Sequence, residues 1–361
     1  MLSNWKHRDW PKLSYDASRL ADYEKQFLHK AGVLLGSLKH VKDADSELLK
    51  IELISDEALK TSEIEGELLN RHSLQSSIRR QFGLQADPQK ITPAEEGISE
   101  MMVDLYTTYH NALDHAQLFA WHKMLTKGRK DLQQIGAYRS HNDPMQVVSG
   151  PLHRPTIHFE APPSAMVQKE MTSFIEWFNT GGTLGALTRA GIAHLYFESI
   201  HPFEDGNGRI GRVISEKALS QHLGRPTLIA ISYTIERERK KYYAALQENT
   251  TSLEVTDWLV YFCEMVLQAQ DHTQRMVDFL IGKTQFYHAF ANRLNPRQTK
   301  VVERMFREGV DGFKGGLSAE KYMRITGTTS STATRDLQQL GAMGALVKTG
   351  ELKGTRYWIK M

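Results

Sequence analysis

From residue 17 to residue 83 apolar side chains recur at three- and four-residue steps: Leu20, Tyr23, Phe27, Leu34, Leu35 and Leu38, then Leu48, Ile51, Ile54 and Leu59. That spacing places them on one face of a helix and predicts a run of amphipathic helices. Gln85 to Pro93 breaks the pattern with two prolines and ends in Thr-Pro-Ala-Glu-Glu, a helix-start sequence, so a joint falls near residue 90. Helical periodicity then continues to about residue 128. Between Gly136 and Pro163 it gives way to short β-branched pieces, Val147-Val148 and Ile157-His158-Phe159, around a Ser149-Gly150-Pro151 turn, which predicts a hairpin. Helices resume over Ser164 to Asn179, Leu187 to Ile200 and Ile235 to about Ala291. After Asn295-Pro296 the order is helix (Arg297 to Glu308), helix (Ser318 to Ile325), turn, helix (Ser330 to Leu340) and two strands (Leu346 to Thr349, Thr355 to Ile359). That order predicts a winged helix-turn-helix. The expected fold class is mainly α, with a hairpin inserted among the central helices.

Length and composition sharpen this. A chain of 361 residues exceeds one ordinary core, and 40% hydrophobic with 24% charged residues is a globular composition. Three segments are expected: a helical region 1–90, a central domain 91–290 and the winged helix 291–361. The formal charge is only +3, but residues 297–361 hold twelve Lys+Arg against six Asp+Glu, a local +6 that leaves the remainder at −3. Any affinity for nucleic acid is therefore expected in the tail alone. The single cysteine, Cys263, excludes an internal disulfide and a thiolate metal cluster. The charged opening MLSNWKHRDWP is unlike a signal peptide, and no 18-residue apolar run exists, so a cytoplasmic protein without membrane contact is expected.

The segment carrying chemistry is His201-Pro-Phe-Glu-Asp-Gly-Asn-Gly-Arg-Ile-Gly-Arg212. Gly206, Gly208 and Gly211 satisfy the dinucleotide fingerprint G-x-G-x-x-G, yet the preceding residues have helical spacing and no βαβ unit surrounds them, which rejects that reading. A calcium loop is rejected too, because the glutamate it needs is absent and arginines stand near its place. What remains is a glycine-rich turn opening a helix, whose N–H groups and dipole suit an anion. Arg209 and Arg212, three apart, share a helix face and could fork onto neighbouring phosphates. Asp205 is placed to hold Mg²⁺ on those phosphates, and His201 to take a proton from a hydroxyl. Separately each residue has a bland reading as turn or solvated side chain; together they describe a phosphoryl- or nucleotidyl-transfer site.

This segment resembles the Fic family signature H-x-F-x-[D/E]-G-N-G-R-x-x-R, matched by His201, Phe203, Asp205, Gly206, Asn207, Gly208, Arg209 and Arg212. The resemblance covers roughly residues 95 to 270. Gly136-Ala-Tyr-Arg139 looks like the entry to the family's target-docking flap, and Tyr242-Tyr243 like its adenine pocket. The resemblance implies an all-helical enzyme that moves AMP from ATP to a Ser, Thr or Tyr hydroxyl of a protein target, itself included. It implies His201 as the base, Asn207 and the glycine amides at the α-phosphate, Arg209 at the β- and Arg212 at the γ-phosphate, and Asp205 on Mg²⁺. Phe203, Glu204, Asp205, Gly206, Asn207, Gly208, Arg209, Arg212, Tyr242 and Tyr243 are thus the expected ATP site, with ATP and Mg²⁺ as cofactors. Relatives that phosphorylate or transfer phosphocholine depart from this glycine-arginine pattern, which is intact here.

Thr61-Ser-Glu-Ile-Glu65-Gly66 matches the family's inhibitory pattern [S/T]-x-x-x-E-[G/N]. Thr61 and Glu65 are one helical turn apart, so the threonine face can dock while Glu65 reaches Arg212. The same residues also read as a plain helix end closed by glycine; beside a full Fic loop, the inhibitory reading is preferred. The same glutamate could instead orient a water for removing AMP.

Trp5-Lys-His-Arg-Asp-Trp10-Pro11 resembles a region found ahead of some Fic domains and is expected to act as scaffold. In the winged helix, Thr328, Thr329, Ser330, Ser331, Thr334 and Arg335 offer side chains suited to DNA, though winged helices also dock proteins. A homodimer is expected. Two other functions stay open on sequence: a DNA-binding regulator with a nucleotide-sensing Fic core, and a phosphorylating or AMP-removing relative.

Overall fold

Thr92 caps a helix as its sequence demands: its hydroxyl accepts from the Glu95 amide while the Glu95 carboxylate accepts from the Thr92 amide, with Pro93 at the first helical position. Asn295 and Gln298 repeat the device at Pro296. The computed structural model describes residues 2–38, 43–149 and 156–360. Its helices are α1 (Ala21–Leu38), α2 (Asp43–Ile64), α3 (Arg71–Gln81), α4 (Pro93–Thr108) and α5 (His115–Leu125), then α6 (Ser164–Thr180), α7 (Ala186–Ile200) and α8 (Asn207–Leu223). They continue as α9 (Ile231–Arg237), α10 (Arg239–Asn249), α11 (Thr256–Phe290), α12 (Pro296–Phe306), α13 (Ala319–Thr326) and α14 (Ser330–Ala342). Strands β1 (Gln146–Ser149) and β2 (Thr156–Glu160) pair antiparallel between α5 and α6, as do β3 (Leu346–Thr349) and β4 (Arg356–Ile359) after α14. The fold is mainly α with the expected inserted hairpin; the Gly150-Pro151 turn lies outside the described residues.

The helix expected from Ile235 to Ala291 is three helices. Side chains end the middle one: Asn249 Nδ2 donates to the Ala245 carbonyl, Thr250 Oγ1 to Gln247 and Thr251 Oγ1 to Glu248. Such local bonds compete with the helical ladder, and apolar spacing does not register them.

The chain divides into two compact units. The first comprises Met1–Val33 and Lys50–Thr273, the second Leu34–Leu49 and Gln274–Met361. In the first, α7 lies at the centre, packed along α8 and against α6, with α4 and α5 also against α8. All fifteen α7 residues are buried, the apolar ones together with polar Arg189, His194, Glu198 and Ser199. In the second, buried Asp336 on α14 accepts from Arg297 Nε on α12 (2.8 Å) and from the Tyr322 hydroxyl on α13 (2.9 Å), tying three helices to one carboxylate. Leu317 bridges to Tyr357, flanking β4 on the side opposite β3.

Candidate active site

α7 ends at His201, whose backbone is left-handed at φ 50° and ψ 60°. That conformation costs a non-glycine residue about 1 kcal/mol or more, and here it turns the imidazole out of the buried helix toward the next loop. The loop returns at Gly206, φ 84°, the N-cap of α8. Asn207 pins it from within: Oδ1 accepts from the Phe203 amide (2.9 Å) and Nδ2 donates to the Phe203 carbonyl (2.8 Å). The Phe203 ring is fully buried and stacked on His122 at 4.2 Å between centroids. His122 in turn accepts from the Gly136 amide at 3.0 Å, and burial holds it neutral, with a pKa near 4. The loop is therefore locked before any ligand arrives.

His201 Nδ1 lies 3.6 Å from Glu198 Oε2. Burial, reinforced by the Arg139 charge, lowers the His201 pKa to about 4, so at neutral pH the ring can accept a proton. Burial pushes Glu198 the other way, to about 8, leaving a neutral acid beside the imidazole. Arg139, also buried, donates through Nε to the His201 carbonyl (2.8 Å) and through Nη2 to the Pro162 carbonyl (2.5 Å), linking His201 to the foot of the hairpin.

Arg209 and Arg212 stand three apart on the first turns of α8, both buried at 5% and 2% exposed, and both already hold acids. Arg212 Nη2 donates to Glu65 Oε1 at 2.8 Å, and Nε to Thr61 Oγ1 at 2.7 Å. Arg209 Nη1 donates to Glu67 Oε2 at 2.8 Å, a contact the sequence reading missed. A Cβ on Gly208 would stand 2.6 Å from Glu65 Oε1, so the glutamate sits directly over the first turn of α8. Arg212 Nη1 and Arg209 Nε are buried donors without a partner, which fits a site shaped for a larger anion. Asp205 Oδ2 accepts from Arg129 Nη1 at 2.6 Å. Burial favours its neutral form, but the Arg129 hydrogen bond and the Arg209 charge outweigh this and hold its pKa below the usual value.

Glu204 accepts from the Gln133 amide through its carboxylate (2.8 Å), at the rim of the loop. Tyr242 is buried, its hydroxyl 2.7 Å from His194 Nε2; Tyr243, 44% exposed, presents an open ring beside it. Thr61 and Glu65 thus meet Arg212 at the end of the 201–212 segment, whereas a Cβ on Gly66 would meet nothing within 4 Å. Thr329, the N-cap of α14, and Ser330, Ser331, Thr334 and Arg335 on α14 belong to the second unit and are exposed. Glu67, His122, Arg129 and Glu198 had no signal in a single sequence, being lone polar residues within helices or loops.

Residues 112–219 match the Fic/DOC family. The chain contains a Fic domain. Residues 3–84 match a second family described as a domain of unknown function, DUF4172. The chain is 33% identical over 90 residues to a probable protein adenylyltransferase of Aquifex aeolicus, spanning 25% of this chain and 26% of that protein. It is 30% identical over 82 residues to the protein adenylyltransferase fic-1 of Caenorhabditis elegans, spanning 22% of this chain and 15% of that protein. It therefore covers about a quarter or less of these relatives. Among solved structures, a Fic family protein from Desulfovibrio desulfuricans superposes with TM-score 0.52 at 18% identity, over 94% of this chain and 96% of that one. Fic-1 from C. elegans does so with TM-score 0.51 at 19% identity, over 74% and 75%. These likenesses establish the Fic fold. No helix among the described residues is long and apolar enough to cross a membrane.

Proposed function

We propose that this protein is an adenylyltransferase that moves AMP from ATP to a Ser, Thr or Tyr hydroxyl of a protein, and that Glu65 holds it off. The observation carrying the reading is the juxtaposition of a neutral His201 with a locked helix N-terminus and two buried arginines. In the reaction the target oxygen attacks the α-phosphorus, the bond to the α,β-bridging oxygen breaks, and pyrophosphate leaves. With Nδ1 turned toward Glu198, His201 presents Nε2 to take the hydroxyl proton. Arg209 and Arg212 neutralise the departing phosphates, and the first amides of α8 face the charge that builds on the α-phosphate. Asn207 acts by keeping those amides in place.

Among the described residues no cluster of three or more His, Cys, Asp or Glu could hold a metal ion unaided. A magnesium ion carried on phosphates needs only one or two carboxylates, and Asp205, ionised and 39% exposed, fits that need. Bound there, the ion would supply further charge neutralisation on the phosphates.

Inhibition follows from occupancy. Glu65 spends on Arg212 the hydrogen bonds a phosphate would take, and its own charge repels ATP. A charge-assisted hydrogen bond contributes about 1.5–3 kcal/mol, roughly ten- to hundredfold in occupancy. Incubation with ATP and Mg²⁺ followed by intact-mass analysis tests the reading. Glu65→Gly should add the mass of AMP faster than wild type and Glu65→Gly/His201→Ala should add none. Addition of a phosphoryl mass, or equal labelling without His201, would overturn it.

A second reading attaches to the second unit, which we read as a winged helix that binds DNA. Its support is the exposed hydroxyl and guanidinium face of α14 together with the local +6 charge. Failure of the full chain to shift duplex DNA in a low-salt gel would remove it.

A further inference from the structure

The opening segment, which the family description leaves without a function, makes its polar contacts at selected places. Glu160 closes β2, and three of its four polar positions are held by residues 3–6. Its amide donates to Ser3 Oγ (3.2 Å), its carbonyl accepts from Trp5 Nε1 (2.6 Å), and its Oε1 accepts from Lys6 Nζ (2.7 Å). The fourth, Oε2, accepts from Gln146 across the hairpin at 2.8 Å. Between these residues Asn4, fully buried, reaches the opposite way: Nδ2 donates to Ser199 Oγ at 2.8 Å, two residues before His201. The Asn4 amide donates to the Thr250 carbonyl (2.8 Å), just beyond the helix that carries Tyr242 and Tyr243.

We propose that Ser3–Lys6 is a positioning strap: it fixes the foot of the β1–β2 hairpin against the last turn of α7, and so sets where the hairpin presents a target hydroxyl to His201. The proposal rests on reading the hairpin as the target-docking flap. A two-stranded hairpin is marginal on its own, so its position must come from its foot. On one side the foot is tied to His201 by Arg139, which bonds Pro162 and the His201 carbonyl. The strap supplies the second tie, from Glu160 through Asn4 to Ser199. Two ties at different points fix an orientation where one leaves a hinge. A segment serving only to cover the core would bury apolar atoms; here an asparagine is buried instead, and three side chains converge on a single flap residue. A misplacement of about 1 Å between reacting groups costs on the order of a hundredfold in rate, so the strap belongs to the chemistry as Ser3, Asn4, Trp5 and Lys6 acting through the flap.

The test uses the full chain carrying Glu65→Gly, with and without Ser3→Ala/Trp5→Phe/Lys6→Met, a set that keeps apolar bulk and removes the three contacts to Glu160. Hydrogen exchange of the amides in residues 157–160 should speed up about tenfold, while Mg-ATP affinity measured by calorimetry stays within about twofold. AMP transferred to the protein should fall about tenfold relative to free AMP released by hydrolysis, since water needs no flap to reach the α-phosphate. Lys6→Arg, which keeps the ion pair, should leave all three readings at the parent value. Unchanged exchange at residues 157–160 overturns the strap, and so does a joint loss of ATP binding and both products, which would make it a fold element only. Should the parent chain transfer no AMP at all, the transferase reading fails, and the exchange measurement still decides the strap.

Discussion

On the proposed reading, Glu65 and Glu67 differ in what each gives up when ATP binds. Glu65 releases Arg212, which is 2% exposed and stays held by Thr61; Glu67 releases Arg209 and is itself 38% exposed on its side chain. Glu65, 30% exposed on its side chain, is only a little less open to solvent, but it also stands 2.6 Å from where a Cβ on Gly208 would be, over the cradle itself, so its share is the larger. Gly66, left-handed at φ 82°, lets the chain turn back: the Glu67 amide donates to the Ser62 carbonyl, closing α2 and bringing Glu67 onto the loop beside Glu65. Glu67→Gln should therefore tighten ATP binding by about threefold to tenfold, with Glu65→Gly giving more; calorimetry on the single and double variants measures both and their coupling. An unchanged affinity in Glu67→Gln would show the Arg209 pair to be incidental. Glu65 was legible because a threonine one helical turn before a Glu-Gly pair is a pattern; Glu67 was not, because nothing local marks it, although the two partners stand similarly far along the chain, at 147 and 142 residues.

At the scale of elements, legibility followed the range of the forces involved. The loop 201–212 could be read as one unit because its residues are contiguous: glycines, arginines and histidine lie on one turn and the helix it opens. The start of α4 was read from Thr92-Pro-Ala-Glu95, whose partners sit within three residues. The break between α10 and α11 was missed because Asn249, Thr250 and Thr251 end the helix through their own side chains while the apolar spacing runs on. In the second unit, Asp336 and Arg297 were counted as charges, yet they neutralise each other inside the helix junction. The basic residues left for a DNA reading include Arg335 on the exposed face of α14. If α14 meets the duplex, binding should weaken linearly with the logarithm of salt, and Arg335→Ala should either flatten that slope by about one, as a phosphate contact, or relax sequence preference, as a base contact. A variant that binds as before at every salt concentration would take α14 out of the interface.

For the whole molecule, burial of charge sets an opposed pair of titrations. His122, His194 and His201 are depressed by burial to about 4, 3 and 4. The stability this reflects is present above about pH 6.5 and is lost as pH falls toward those values. Glu57, Glu198 and Glu216 are raised by burial to about 8, 8 and 7, so their contribution is present below about pH 4.5 and lost as pH rises through the folded values. Three groups pull each way, and stability should peak near about pH 5.5, where the two slopes cancel. Melting temperatures from pH 4 to pH 9 check this; a curve still rising above pH 7 would contradict it. The locked loop has a consequence for timing. If Glu65 and Glu67 hold off an adenylyltransferase as we propose, then with Asn207 holding Phe203 by two bonds nothing at the phosphate cradle has to fold on release. Two carboxylates need only swing away, a movement of side chains and one helix end on the scale of nanoseconds to microseconds. Whatever event frees Glu65 and Glu67 would then be answered almost at once, and the delay between signal and modified protein would belong to the arrival of the target.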